Sequence, residues 1–221
     1  AAQALARGEL VGFPTETVYG LGADAGNDAA VAKIFAAKGR PSDHPLIVHV
    51  AHAQGVHDFA CDIPDFANKL MAQCWPGPLT LILPRREGIG LATAGGQNSI
   101  GIRCPSHPVA LALLKAARGW GVLGVSGPSA NRFGRVSPTT AEHVASEFDP
   151  GLMILDGGPC PVGIESSIVD CTRSAPVLLR PGMLSRQQLS RLGGQAVLTP
   201  EEFAQSTAPR ASGTLASHYA P

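Results

Sequence analysis

Leu10-Val11-Gly12-Phe13-Pro14-Thr15-Glu16-Thr17-Val18-Tyr19-Gly20-Leu21-Gly22 begins apolar. At a proline it turns into a segment of hydroxyls, a carboxylate, a phenol and two glycines. Leu10–Phe13 reads as a short buried strand that stops at Pro14, since proline cannot donate to a sheet ladder. The polar segment that follows stands where α/β sheets present ligands, and its glycines let backbone approach a bound molecule closely. The plainer alternative is a polar turn with Tyr19 half-buried. Composition alone weighs the two about equally.

Outward from this junction, strand-like and helix-like segments alternate. Asn27 or Asp28 caps a helix to about Lys38, with Val31, Ile34 and Phe35 on one face and Gly39 as its stop. Leu46–Val50 reads as a β-branched strand, Pro64 suits the first turn of a helix to about Cys74, and Leu79–Leu83 and Ser99–Arg103 read as strands. Ser106 or His107 before Pro108 opens an Ala/Leu-rich helix to about Arg118. Val122–Ser126 is then a strand, and Thr139 or Thr140 caps a helix through Phe148. Met153–Leu155, Ser167–Asp170 and Val177–Leu179 are further strands, and Ser185 opens a last helix to Leu192. This order predicts one α/β domain over residues 1–198, with a twisted open sheet flanked by helices. The sheet is expected to be mixed, because two or three strand pairs lack a helix between them. Thr199–Gly213 reads as a linker, which sets residues 199–221 apart from the domain.

The 221 residues suffice for one well-buried core. Seventeen basic residues balance 17 acidic ones, which argues against a protein that wraps nucleic acid but leaves room for a local basic cleft. The five cysteines are odd in number and form no C-x-x-C pair. Neither a disulfide framework nor a zinc site is indicated, and a reducing, cytoplasmic setting is expected. Apolar runs such as Leu79–Leu83 are too short to span a bilayer, and no signal peptide is visible.

Several segments could carry chemistry. Lys38-Gly39-Arg40-Pro41 places two cations at a helix C-terminus. Simple capping favoured by the helix dipole outweighs a phosphate clamp by about 3:1 when this segment is taken alone. As a clamp, Lys38 would act as a point charge and Arg40 as a fork. His49 lies inside an apolar strand, where a lone histidine is usually a satisfied core residue. Arg103 ends another apolar strand and needs an anionic partner, either from the protein or from a substrate carboxylate. Ser126-Gly127-Pro128-Ser129-Ala130-Asn131 offers small hydroxyls and backbone donors suited to cradling phosphate, with Ser137 a little downstream. Gly163–Asp170 and Leu179–Gly182 add two more polar strand ends. No Walker loop, dinucleotide fingerprint, nucleophile elbow or metal-ligand spacing is present. Anion-binding equipment without an obvious nucleophile is the profile of an enzyme that positions phosphates.

At this point the chain resembles the YrdC/threonylcarbamoyl-AMP synthase family. The resemblance rests on Pro14–Gly22, Lys38–Pro41, Pro45–Val50, Pro128–Asn131, Gly163–Asp170 and Leu179–Gly182, in order, and covers about Leu5 to Leu192. The pairing of Lys-x-Arg with Ser-x-Asn is its most specific part. Ser217-His218-Tyr219-Ala220-Pro221 resembles the linker motif of the two-domain members, in which a linker folds back over the active site. The chain is thus expected to be of that linker-bearing type without its C-terminal domain.

The resemblance implies an α/β fold with a concave basic cleft, and synthesis of threonylcarbamoyl-AMP and pyrophosphate from L-threonine, bicarbonate and ATP with Mg²⁺. It implies that Thr17, His49, Arg103, Gly127 and Ser167 hold L-threonine. It implies that Lys38, Arg40, His44, Ser99, Ser129, Ser137, Arg180 and Tyr219 serve the nucleotide, with Lys38, Arg40, Ser129 and Asn131 as the catalytic set. No protein-bound metal is implied. The product would pass to a downstream threonylcarbamoyl transferase complex that modifies adenosine 37 of tRNA, with contact to tRNA itself as a further expectation. His44 stands where Asn is frequent in the family, Ser99 and Ser167 stand where Thr is frequent, and Ser126-Gly127 replaces a Thr/Ala-type pair. Two rival readings are an RNA-binding module of the same fold and a carbamoyl-transfer domain of hydrogenase maturation. Neutral charge and the lack of interleaved aromatics weigh against the first, and missing acylphosphatase-like and zinc-binding segments against the second.

Overall fold

The computed structural model describes residues 1–203. Its elements run α1 (Ala2–Ala6), β1 (Val11–Phe13), β2 (Gly20–Asp24), α2 (Asp28–Lys38), β3 (Ile47–His49), α3 (Asp65–Cys74), β4 (Leu79–Pro84) and β5 (Ser99–Arg103). They continue with α4 (Pro108–Arg118), β6 (Val125–Ser126), α5 (Ala141–Glu147), β7 (Met153–Ile154), β8 (Ser167–Asp170), β9 (Val177–Arg180) and α6 (Arg186–Gly193).

The helix boundaries follow their caps. Asn27 accepts from the Ala30 amide and Gly39 closes α2 in the left-handed conformation. His107 caps α4 through its ring nitrogen, Thr140 caps α5, and Ser185 forms a capping box with Gln188 at α6. Pro64 proves to be the residue before α3 rather than part of its first turn. Two expectations need correction at the opening junction. Gly20–Asp24 is a strand, antiparallel to β1, and Tyr19 is fully buried. The apolar side of that strand is supplied by Leu21 and Ala23, which pack under α2, so the two glycines sit within a ladder and not in a free loop. A short N-terminal helix and a 3-10 turn over Ala53–Asp58 also went unpredicted; both are too short for a periodic pattern to show.

One nine-stranded sheet runs β7-β1-β2-β6-β3-β5-β4-β8-β9. It is mixed, as expected: β1–β7, β3–β5 and β4–β8 are parallel and the other pairs antiparallel. The registers link Val48 to Ile102, Ile102 to Leu81 and Leu81 to Val169. These four form one face, sealed by Phe66, Leu70 and Met71 of α3 and Leu189 of α6. Because side chains alternate along a strand, their neighbours fall on the opposite face. There the registers link His49 to Arg103, Thr80 to Ile168 and Ile168 to Arg180. The sheet therefore carries a lateral row with His49, Arg103, Thr80 and Arg180, interrupted by Ile168, at about 4.8 Å per strand. No helix among the described residues is long and apolar enough to cross a membrane.

A candidate active site over the polar row of the sheet

A cleft lies over this row, lined by Thr17, Arg40, His49, Arg103, Gly127, Ser129, Glu165 and Arg180 among others. About 440 Å³ of space not filled by atoms, open solvent included, lies against these residues. Its floor is unusually thin. The Phe13 ring lies so close beneath Gly20 and Gly127 that a Cβ on either would sit 2.9 Å from a ring carbon, and one on Gly127 would also meet His49 Nδ1 at 3.0 Å. Only glycine lets backbone line the cleft there.

At one end, Arg103 is buried and spent in part on the protein itself. Its Nη2 pairs with Glu16 Oε1 at 2.6 Å, its Nη1 donates to Thr17 Oγ1 at 2.8 Å, and Nε reaches Gly77 O at 3.3 Å. Glu16 in turn accepts from the Ser106 amide at 3.0 Å. Burial pushes the Glu16 carboxyl up, but the Arg103 charge and these hydrogen bonds outweigh it, and its pKa ends below the usual value. The anion that Arg103 required is thus a protein carboxylate. Each terminal nitrogen still keeps a second N–H for a ligand.

His49 packs edge-on against Phe13, with ring centroids 5.5 Å apart. Its Nδ1 is buried without a hydrogen-bond partner. Burial foremost, then the Arg103 charge, lowers its pKa to about 3, so the ring is neutral at physiological pH and one nitrogen awaits a partner from the cleft. The ordinary value is 6.5. Between about pH 6.5 and 3 the unfolded chain takes up a proton that the native ring refuses, so stability falls as pH falls across that window. Urea titrations at pH 6.5, 5.5 and 4.5 are expected to show this loss, and His49→Asn to flatten it by the equivalent of one proton.

The opposite end is held by a second buried ion pair. Glu165 Oε2 pairs closely with Arg180 Nη1, while Arg180 Nε donates to Ser166 O at 2.9 Å and Nη2 to Ser166 Oγ at 3.0 Å. Ser137 Oγ donates to Glu165 Oε1 at 2.7 Å. Arg40 lies nearby, donates through Nη2 to Pro45 O at 3.1 Å, and leaves its buried Nε without a partner. Burial lowers its pKa to about 10; Glu165 opposes the shift and Arg180 adds to it. No carboxylate among the described residues lies within salt-bridge distance of Arg40.

Lys38 stands behind the cleft rather than in it. Its Nζ donates to Ser129 O at 2.6 Å and, closer still, to Asn131 O. Burial first, and Arg40 second, lower its pKa to about 7. Asn131 donates from Nδ2 to the carbonyls of Arg132 and Arg135, both at 2.8 Å. The Ser129–Asn131 loop is therefore clamped from below by Lys38 and folded back by Asn131. Ser129 is the member of this set that faces the cleft.

Other anticipated residues lie apart. Ser99 begins β5, at the end remote from Arg103, and so about 13 Å away. The His44 ring packs against Phe133 at 5.7 Å. Ser167 exchanges hydrogen bonds with the Leu184 backbone and secures the turn after β9. Tyr219 lies outside the described residues. Glu16 and Glu165 were not anticipated, although both stand inside quoted motifs; the signal was the arginine at each strand end, whose demand for an anion a carboxylate in a neighbouring motif can meet. Among the described residues no group of three or more His, Cys, Asp or Glu side chains is arranged to hold a metal.

The sequence from residue 3 to 182 matches the family model for Sua5, YciO and YrdC, described as "Telomere recombination". The chain belongs to that family. A threonylcarbamoyl-AMP synthase of Bacillus subtilis strain 168 is 44% identical over 223 residues, spanning 100% of this chain and 63% of the relative. One from Pyrococcus abyssi is 42% identical over 223 residues, spanning 100% of this chain and 64% of the relative. The crystal structure of P. abyssi Sua5 complexed with L-threonine matches with a TM-score of 0.88 at 41% identity, over 96% of this chain and 62% of that one. This Sua5/YciO/YrdC chain thus spans 63–64% of the length of those two curated relatives. The large mixed sheet flanked by helices is the fold it shares with Sua5.

Proposed function

We propose that the chain forms L-threonylcarbamoyl-AMP and pyrophosphate from L-threonine, bicarbonate and ATP, for N6-threonylcarbamoyladenosine formation at tRNA position 37. The observation that carries this reading is Arg40. A half-buried guanidinium whose Nε is buried and unpartnered, facing a cleft in which Arg103 and Arg180 already have carboxylates, favours an anion from outside. A triphosphate supplies it.

At the other end, Arg103, Thr17 and the neutral His49 form a small buried polar site. The threonine amine takes up CO2 derived from bicarbonate and becomes a carbamate. A carbamate oxygen then attacks the α-phosphorus of ATP, and the bond to pyrophosphate breaks. Arg40 and Arg180 neutralise phosphate charge, the loop at Ser129 aims the reactants, and the remaining Arg103 N–H groups hold the amino-acid carboxylate. Mg²⁺ fits as a companion of the triphosphate, because among the described residues the cleft lining offers one carboxylate, Glu165, and Mg²⁺ takes much of its coordination from phosphates and water. Bound there, it would offset charge on the departing pyrophosphate. Transfer to tRNA then falls to a downstream threonylcarbamoyl transferase complex, and the reading places the chain in the cytoplasm.

The test is pyrophosphate release with ATP, Mg²⁺ and bicarbonate, comparing L-threonine, L-serine and no amino acid. Threonine-dependent release with a new adenylate in the mass spectrum is expected. A folded protein that binds ATP yet releases no pyrophosphate with threonine would overturn the reading. Arg40→Ala is expected to raise KM for ATP at least about tenfold, the worth of a charge-assisted contact, while the Kd for threonine stays within about twofold.

A further inference from the structure

The amino-acid end of the cleft sets one cation, Arg103, among side-chain acceptors that carry no charge. Among the described residues the cleft lining holds one carboxylate, Glu165, and it stands at the opposite end with Arg180. Glu16, buried behind Arg103, spends its oxygens on the Arg103 guanidinium and the Ser106 amide. Thr17 has a fixed polarity. Thr15 Oγ1 donates its single proton to Val18 O at 2.6 Å, so the 2.9 Å contact between the two threonine hydroxyls carries the proton of Thr17. Arg103 Nη1 engages one lone pair of Thr17 Oγ1 at 2.8 Å and leaves the other for a ligand. His49 Nδ1, buried without a partner, is a second neutral acceptor with the ring proton on Nε2. His49 and Arg103 are register partners on adjacent strands, so a carboxylate held by Arg103 brings its α-substituent toward both acceptors.

We propose that this end takes threonine as the free amine and not as the ammonium, with Thr17 and His49 as its acceptors and Thr15 as the positioning residue that fixes the Thr17 proton. This inference rests on the threonine-dependent reading given above and adds how the nucleophile is made. Binding breaks one N–H bond of the ammonium. The electron pair stays on nitrogen, the proton passes to solvent buffer, and the two remaining N–H groups meet the two acceptors. The lone pair is then free for CO2. No group at this end keeps the proton. Burial first, and Arg103 second, lower the His49 pKa to about 3, with Glu16 opposing Arg103 without reversing it. Arg103 holds the Glu16 carboxyl below its usual value, and burial pushes the Cys104 and Cys160 thiols up to about 11. Arg40, Arg180 and Glu165 stand at the opposite end. Surroundings that refuse a positive charge on the His49 ring disfavour one on the ligand beside it.

The experiment is titration calorimetry of threonine into the wild type in CO2-free solution, in two buffers of different ionisation enthalpy, with and without α,β-methylene-ATP. About one proton is expected to leave per threonine bound at pH 7.5, and the Kd to fall about tenfold from pH 7.5 to 8.5. 2-Hydroxybutanoate, whose α-hydroxyl donates without a charge, is expected to release no proton and to bind equally at both pH values. 2-Oxobutanoate, whose α-oxygen only accepts, is expected to bind about tenfold or more weakly than 2-hydroxybutanoate. Thr15→Val frees the Thr17 proton to turn toward the ligand, so this preference is expected to shrink severalfold, with the Kd for the ATP analogue within about twofold of the wild type. Thr15→Ser is expected to restore it. A proton count near zero with threonine, or an equal count with 2-hydroxybutanoate, would overturn the inference while leaving the reaction intact. An unchanged preference in folded Thr15→Val overturns the role of Thr15. A wild type that binds no threonine in either condition overturns both this inference and the reading beneath it. Should Thr15→Val fail to fold, the wild-type proton count and the ranking of the two analogues still decide.

Discussion

Arg103→Ala is expected to cost about 3–5 kcal/mol of folding stability in addition to abolishing amino-acid binding, because it strands a buried carboxylate. Glu16 is 6% exposed and pairs with Arg103 at 2.6 Å. Removing the cation takes away the charge that held the Glu16 pKa down and leaves the burial that pushes it up. Urea denaturation should show the midpoint falling sharply, with part of the loss regained at low pH as Glu16 takes a proton. The double variant Glu16→Gln/Arg103→Met removes both charges together. It is expected to recover most of the stability, since replacing a buried pair is far cheaper than breaking one, yet to remain unable to bind threonine. Similar stability losses in the single and double variants would mean that Arg103 is held by packing and not by its charge partner.

Lys38→Met is expected to lower turnover about a hundredfold, with threonine Kd within about twofold of the wild type. The reason is displacement, not lost contact with substrate. Lys38 Nζ donates to the carbonyls of Ser129 and Asn131, and a loop that slips by about 1 Å can cost a hundredfold in rate. Each carbonyl left without a donor adds about 1–3 kcal/mol of destabilisation. The same side chain gives a signature in pH. Its pKa is about 7 in the fold against an ordinary 10.5, so between these values the unfolded chain carries a proton that the native chain lacks. Stability therefore rises with pH across that window. Thermodynamic comparison at pH 7, 8.5 and 10 should show the rise in the wild type and its reduction in Lys38→Met. Two N–H groups on the neutral amine suffice for both carbonyls, so the clamp survives deprotonation.

How far the sequence disclosed the site differs from residue to residue. Caps and periodic apolar faces revealed five of the six α-helices among the described residues, since Asn27, His107, Thr140 and Ser185 act within three residues of their targets. Strand β2 was hidden because Gly20-Leu21-Gly22 reads as turn chemistry when the ladder partners are unknown. The motif residues Thr17, Arg40, His49, Arg103, Gly127, Ser129 and Arg180 do meet around one cleft. What no local reading discloses is the allotment of side-chain hydrogen bonds across the sheet. Arg103 and Glu16 are 87 positions apart, and Arg180 reaches Glu165 across the β8–β9 pair. Its place at the end of an apolar strand showed that Arg103 needed an anion; only the folded structure shows which carboxylate answers, and that Arg180 has one too. Lys38 illustrates the same limit, because capping and phosphate clamping look alike in sequence, whereas its actual partners are carbonyls of a loop more than 90 positions away.

The Phe13 ring beneath Gly20 and Gly127 has a consequence for descent. One aromatic side chain fills the volume that two missing side chains vacate, so the three positions behave as a single inherited unit. A lineage that trades Phe13 for a smaller residue would open room for alanine at either glycine, and a lineage that keeps the ring cannot accept it. Across relatives these positions should change in concert or stay together, and a library that randomises all three should recover functional combinations that stepwise substitution never reaches.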